Sequence, residues 1–169
     1  DDLRDWVGFL GEKQVKTPNL DRLAARGTVF ERAYCACPVC NPSRTALMSG
    51  LRSGTTGVYN NNVDWRTTPA AKITHLNQAF MAAGYDVRGA GKIYHGSYPT
   101  PEGYWHEFKA CGAHEEFKKK DKKTLKPLPG GWGDNNFTIG PLDNDDEDME
   151  DYHIVNYALK ELGKTHDLS

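Results

Sequence analysis

Apolar positions along the chain fall into short, well-punctuated patterns. In TPNLDRLAARG (17–27), Leu20, Leu23 and Ala24 share one face at helical spacing. Thr17 stands where a cap belongs, Pro18 suits a first turn and Gly27 a stop, so the segment predicts a helix. VFERAYCAC (29–37) has the alternation and aromatic content of a short strand. NPSRTALMSG predicts a second helix, with Asn41 as cap, Pro42 at its first position and Gly50 as its stop. Cys40 then falls just ahead of a helix N-terminus. THLNQAFMAAGYDVRGAGKIYHG (74–96) reads as a helix, a Gly84 stop, a short strand and a glycine-flanked loop. That is half of an α/β unit, with Lys92 and His95 just past the strand end, where open α/β sheets place their ligands.

Residues 97–142 are rich in proline, glycine and aromatics and predict long irregular loops. EEFKKKDKK (115–123) within them reads as a solvated charged face. The acidic run DNDDEDMED (143–151) lacks the glycine and terminal-glutamate spacing of an EF-hand loop. It fits better as the start of a final helix, where acidic side chains favour the N-terminus and Ile154, Ala158 and Leu162 share a face. There is no internal repeat and no pattern that marks a boundary between two domains.

Composition narrows the possibilities. A chain of 169 residues that is 38% hydrophobic and 26% charged has the makings of one domain with a real core. A formal charge of -2 gives no broad field for steering towards nucleic acid or an anionic membrane. No apolar run approaches the ~20 residues needed to span a bilayer. The opening DDLRDW has no charged-then-apolar leader, and reads as though a segment had been removed ahead of it.

Four cysteines are too few for a disulfide framework in a chain of this size, but Cys35, Cys37 and Cys40 crowd into CACPVC. A structural zinc clip would pair the Cys37–Cys40 CxxC with a second pair at a distance. Cys111 stands alone, and there is no H-x(3–5)-H partner. A dithiol redox motif puts its reactive cysteine first, at the head of a helix, whereas here the helix begins after the second. The third reading is a single special cysteine at residue 40.

That reading fits a resemblance. C-N-P-S-R at 40–44, followed by TALMSG, resembles the signature of type I sulfatases, C-x-P-S-R with a glycine soon after. The likeness extends over the opening Asp1–Asp2 pair, the TPNLDRLAARG helix, TTGVY (55–59) and AGYDVRGAGKIYHG (83–96), so it spans residues 1–96 strongly and the final helix loosely. The two residues between Lys92 and His95, together with DDLRDWVGFLG and TTGVYNNN, are most similar to the iduronate-2-sulfatase branch. The resemblance implies an alkaline-phosphatase-like α/β/α sandwich, with residues 1–169 as the N-terminal part of a sulfatase catalytic domain. A strand ahead of Asp1 and further site residues beyond Ser169 would complete it.

The roles implied by the resemblance follow residue by residue. Cys40 would be converted to formylglycine (3-oxoalanine), whose hydrate has one hydroxyl to attack sulfur and a second to collapse and expel sulfate. Arg44, one turn on, would anchor the charged oxygen. Lys92 would contact the sulfate, and His95 would take a proton as the aldehyde is regenerated. Asp1, Asp2 and the modified Cys40 would hold a divalent metal, Ca2+ by family habit, since hard oxygen donors suit that ion. Cys35, Cys37 and the other histidines (His75, His106, His114, His153, His166) receive no role, and the cysteines read as small core residues. The implied partners are a sulfated carbohydrate or other sulfate ester and a formylglycine-generating maturation enzyme, in a periplasmic, secreted or lysosomal setting. Two rivals stand: a phosphonate or phosphate monoester hydrolase of the same superfamily, and a non-catalytic zinc- or disulfide-stabilised binding module.

Overall fold

The computed structural model describes residues 5–96, 100–110 and 145–164, with the backbone of 126–128 and 137–139. The expectations for Asp1, Asp2, Cys111, His114, His166 and the lysine-rich stretch 115–123 lie outside the described residues. The chain divides into two compact units, Asp1–Ile73 and Thr74–Ser169.

The first unit opens with a 3-10 turn, Gly8–Leu10, strapped to helix α1, Pro18–Ala24. Thr17 sits at the cap position as its sequence context suggests, yet its oxygen is used elsewhere. It accepts from the Gly8 amide at 2.8 Å and donates to Asp21 Oδ1 at 3.0 Å, while Asp21 Oδ1 also accepts from the Phe9 amide at 2.8 Å. The helix stops at Ala24, short of Gly27, and Leu20 and Leu23 are exposed. The strand expected over 29–37 does not form. An extended segment becomes a strand only when a neighbour pairs its amides and carbonyls, and no described segment runs beside this one. Phe30 and Tyr34 accordingly stand in solvent.

Helix α2 runs Cys40–Ser49, starting two residues earlier than expected, with Val39 at the cap position. Asn41 is therefore no cap. Its side chain has no exposed surface and points into the unit, where Nδ2 donates to the Val63 carbonyl at 2.7 Å and the Asn60 carbonyl at 3.2 Å. The cap comes from a distance: Asn61 Oδ1 accepts the Asn41 amide at 2.9 Å. An amide side chain both buried and polar must find such partners, and the 60–63 loop is wound to supply them. At the other end Gly50, with φ of 70°, closes the helix as its sequence suggests. Helix α3, Ser53–Thr56, packs on α2, and the 3-10 turns Trp65–Thr67 and Pro69–Lys72 follow. Val7, Ala46, Met48, Val58, Trp65 and Ala70 form the core of this unit, with Trp65 fully enclosed.

The second unit begins with helix α4, Leu76–Ala82, capped by His75 and stopped at Gly84, whose φ is 87°. Strand β1, Arg88–Ala90, pairs in parallel with β2, Glu107–Lys109. Strands β3, Lys126–Leu128, and β4, Phe137–Ile139, form an antiparallel pair. The irregular region expected over 97–142 thus contains three short strands that no alternation of apolar residues announces. Gly89 in β1 leaves no room for a side chain, because a Cβ there would stand 2.8 Å from Phe108 of the paired strand. The final helix α5, Glu150–Leu162, opens on its acidic residues as expected. Its half-buried positions, however, are Ile154, Tyr157 and Glu161, and Leu162 is 81% exposed. The rotation follows from charge: Arg88 donates to Glu161 at 2.8 Å and Glu107 at 2.6 Å, so β1, β2 and α5 meet at one guanidinium.

Replacing Asn41 by alanine would remove the partner of two part-buried carbonyls and of the buried Thr45 hydroxyl that approaches Asn41 Oδ1 at 3.4 Å. The expected loss is about 2–3 kcal/mol, read as a lower urea midpoint at unchanged m-value; a loss under about 0.5 kcal/mol would show that the 60–63 loop is held by other contacts.

Candidate active site

Cys40 is the first residue of α2 and is half-buried. Arg44 follows one turn later on the same helix, so both side chains rise from one face. Arg44 is half-buried as well, with its Nε shut away from solvent. A guanidinium held this way is a directional donor near the head of α2. Cys35, Cys37 and Cys40 are outside any disulfide, and Cys35 is exposed, in contrast to the expected small core residue. Because 29–37 builds no strand, the chain there has no layer to bury it in.

The helix N-terminus contributes less to anion binding through its amides than its position suggests. The Asn41 amide is taken by Asn61, Pro42 has none, and the Ser43 amide donates to the Val39 carbonyl at 3.1 Å. Beyond residue 40 itself the first turn has no open N–H, so attraction there rests on the macrodipole and on side chains such as Arg44.

Lys92 and His95 lie in the second unit, in the loop after β1, and line a cleft of about 570 Å³ together with Tyr94, Glu102, Trp105 and His106. Lys92 is exposed, whereas His95 is half-buried with its Nδ1 enclosed. The loop leaves β1 through Gly91, whose φ of 75° is the left-handed conformation that glycine adopts without strain. The Gly91 amide donates to the Lys109 carbonyl at 3.2 Å. The cleft therefore sets an exposed ammonium and a half-buried imidazole beside the rings of Tyr94, Trp105 and Phe108. The structure brings Cys40 together with Arg44, and Lys92 together with His95. Asp1 and Asp2, expected as metal ligands, lie outside the described residues, and among those described no three His, Cys, Asp or Glu side chains gather into a metal cluster.

Several residues next to the site went unassigned from sequence. His75, passed over for lack of context, is fully buried, and its Nδ1 lies 2.6 Å from the Tyr94 hydroxyl. That tyrosine sits between Lys92 and His95 in GKIYH. Asn77 joins the group: the Tyr94 hydroxyl approaches its Oδ1 at 3.3 Å, and its Nδ2 donates to the Tyr104 carbonyl at 2.6 Å. The clue available in the sequence was a polar aromatic in the loop and a histidine at a helix cap. His106 also lines the cleft, with its ring locked by accepting the Val87 amide at 2.9 Å.

The Sulfatase family model matches residues 1–167. A sulfatase of Formosa agariphila is 34% identical over 178 aligned positions, covering 98% of this chain and 35% of that protein. Human iduronate 2-sulfatase is 38% identical over 95 positions, 56% of this chain and 17% of that protein. Among solved structures, the phosphonate monoester hydrolase of Agrobacterium radiobacter superposes with a TM-score of 0.62 at 21% identity, over 96% of this chain and 36% of that one. That likeness shows the alkaline-phosphatase-like fold. The chain spans about a third of the length of its Formosa relative and less of the human one.

Burial raises the hydroxyl of Tyr94 well above the ordinary tyrosine range, with the neighbouring Tyr104 adding to the effect, and burial likewise raises Tyr104. Unfolding releases both to ionise near pH 10. The unfolded chain then binds fewer protons than the folded one, so stability falls as pH climbs past about 10. Thermal melts from pH 8 to 11 should show that fall, and Tyr94→Phe should make it shallower. An identical slope in the variant would mean that Tyr94 ionises freely in the folded protein.

Proposed function

The chain belongs to the sulfatase family, and from that premise we propose that the protein hydrolyses a sulfate ester, with a sulfated sugar as substrate. The observation that carries the reading is Cys40 at the head of α2 with Arg44 one turn along, in a C-N-P-S-R segment within a chain the family model matches almost throughout. Residues 1–169 act here as the N-terminal part of the catalytic domain.

In this reading residue 40 works as formylglycine after maturation, and Asp1 and Asp2 with residue 40 hold a divalent metal, Ca2+. Carboxylate and hydroxyl oxygens form the hard donor set that this ion takes. The modified residue supplies the attacking hydroxyl, and the metal supplies polarisation of the sulfate. The chain's own side chains do the rest. Arg44 holds the charged oxygen of residue 40 in register, and its enclosed Nε limits the positions its fork can take. Lys92 neutralises sulfate as charge builds on its oxygens. His95 would take the proton of the second residue-40 hydroxyl as the aldehyde re-forms and sulfate departs. The likeness to iduronate 2-sulfatase supports a sulfated sugar of that kind, and the family's maturation chemistry calls for a formylglycine-generating partner enzyme. Among the described residues no helix is long and apolar enough to cross a membrane, and the proposed setting is periplasmic, secreted or lysosomal.

The test uses the full-length protein produced beside a maturation enzyme. Mass analysis of the peptide holding residue 40 should show the thiol sulfur replaced by an aldehyde oxygen, and an aryl sulfate should be turned over. Cys40→Ala should show no turnover above background, His95→Ala should lose about 10²–10⁴-fold in kcat, and Lys92→Ala about 10²–10³-fold. Cleavage of an aryl phosphonate in strong preference to the sulfate would move the protein to the phosphonate-hydrolase branch. Full activity in Cys40→Ala would overturn the site.

A further inference from the structure

The loop that presents Lys92 and His95 is short, glycine-flanked and lined on one side by solvent, so something must hold its two functional side chains in place. Its first fixed point is backbone: Gly91 bonded to Lys109 at the end of the β1–β2 ladder. Its second is Tyr94, which leaves only 7% of its surface exposed although Lys92, two residues before it, is exposed. The Tyr94 ring stacks on His75 with centroids 5.7 Å apart, and Tyr104 meets both rings edge-on. Its hydroxyl lies 2.6 Å from His75 Nδ1 and 3.3 Å from Asn77 Oδ1. His75 is fully buried and Asn77 is 3% exposed, and each is tied further into the fold. The His75 amide donates to Gln78 Oε1 at 2.9 Å, and Asn77 Nδ2 donates to the Tyr104 carbonyl at 2.6 Å. The group therefore links the start of α4 to the loop through Tyr94, which itself lines the cleft.

We propose that His75, Asn77 and Tyr94 form a buried hydrogen-bonded pin that positions Lys92 and His95 for the reaction. Tyr94, His75 and Asn77 are positioning residues and touch no reacting atom; the proposal rests on the sulfatase reading only for what Lys92 and His95 do. A phenylalanine at 94 would fill the same space. The hydroxyl adds direction, because a hydrogen bond to a ring nitrogen fixes the rotation and depth of the tyrosine in a way that packing alone does not. The backbone on either side of a fixed Tyr94 inherits that constraint, and misplacement by about 1 Å at a reacting group can cost about a hundredfold in rate.

The experiment compares Tyr94→Phe, His75→Ala and His75→Asn in the full-length matured protein. Asparagine can set a polar side-chain atom where Nδ1 now sits, so it is the conservative rescue. Phe80→Leu serves as a control: it lies on the same helix, packs on Tyr85 and has no part in the pin. With an aryl sulfate, Tyr94→Phe and His75→Ala should each lose about tenfold in kcat at a KM within about twofold of the parent, while His75→Asn recovers most of the loss. Phe80→Leu should lower Tm without that loss. A second readout stands apart from activity: amide hydrogen exchange of the peptide spanning 91–96 should quicken in Tyr94→Phe and His75→Ala, with the peptide of α5 unchanged. Normal exchange at 91–96, or kcat within twofold of the parent despite a lower Tm, would reduce the group to an ordinary piece of core. If the matured parent shows no sulfate-ester turnover, the sulfatase reading has failed, and the exchange experiment alone decides the pin.

Discussion

The first unit depends on one buried amide. Asn41 has no contact with water, so its side chain must satisfy its hydrogen-bonding groups inside the protein, and it does so with the carbonyls of Asn60 and Val63. Asn61 in the same loop returns a carbonyl oxygen to the amide at residue 41. Loop and helix start therefore specify each other. The helix can begin at Cys40 only because a residue twenty positions away caps it, and the loop can wind over Trp65 only because Asn41 gathers its carbonyls. The residue proposed as nucleophile stands at the end of this clasp.

That arrangement has a chemical consequence. Amides that an open helix start would have turned towards an anion are spent within the fold, so in the proposed reaction recognition of sulfate would fall to side chains. Arg44 on the same helix and Lys92 on the β1 loop are suited to the task in different ways. A half-buried guanidinium with its Nε enclosed is directional and rigid, and an exposed ammonium is a movable point charge. A reaction in which charge shifts from one oxygen to another can use both.

The second unit solves its own problem by crowding. Gly89 lets Phe108 lie against the strand backbone, Gly91 turns the chain out of the ladder, and Tyr94 drops back into the core. Arg88, bonded to Asp86, Glu107 and Glu161, gathers β1, β2 and α5. The Asp86 and Glu107 pairs are partly solvated, and the pair with half-buried Glu161 orients the helix.

Much of the site was legible in the linear sequence, because its signals are local. C-N-P-S-R before a helical pattern placed Cys40 and Arg44 a turn apart, and a glycine-flanked segment after a strand placed Lys92 and His95 in one loop. Glycines 50 and 84 ended their helices because only their backbone accepts the left-handed turn without strain. What the sequence could not determine was set by partners distant along the chain. Asn41 reads as a cap until a loop twenty residues later supplies a better one. The 29–37 segment reads as a strand until the fold provides it no described neighbour, and β2 reads as loop until Gly89 opens a place beside it. His75 carries only a faint local signal, its place ahead of a helix. Only the packing of α4 against the β1 loop sets its ring against Tyr94, and there burial turns an isolated histidine into a hydrogen-bonded partner of the loop that carries Lys92 and His95.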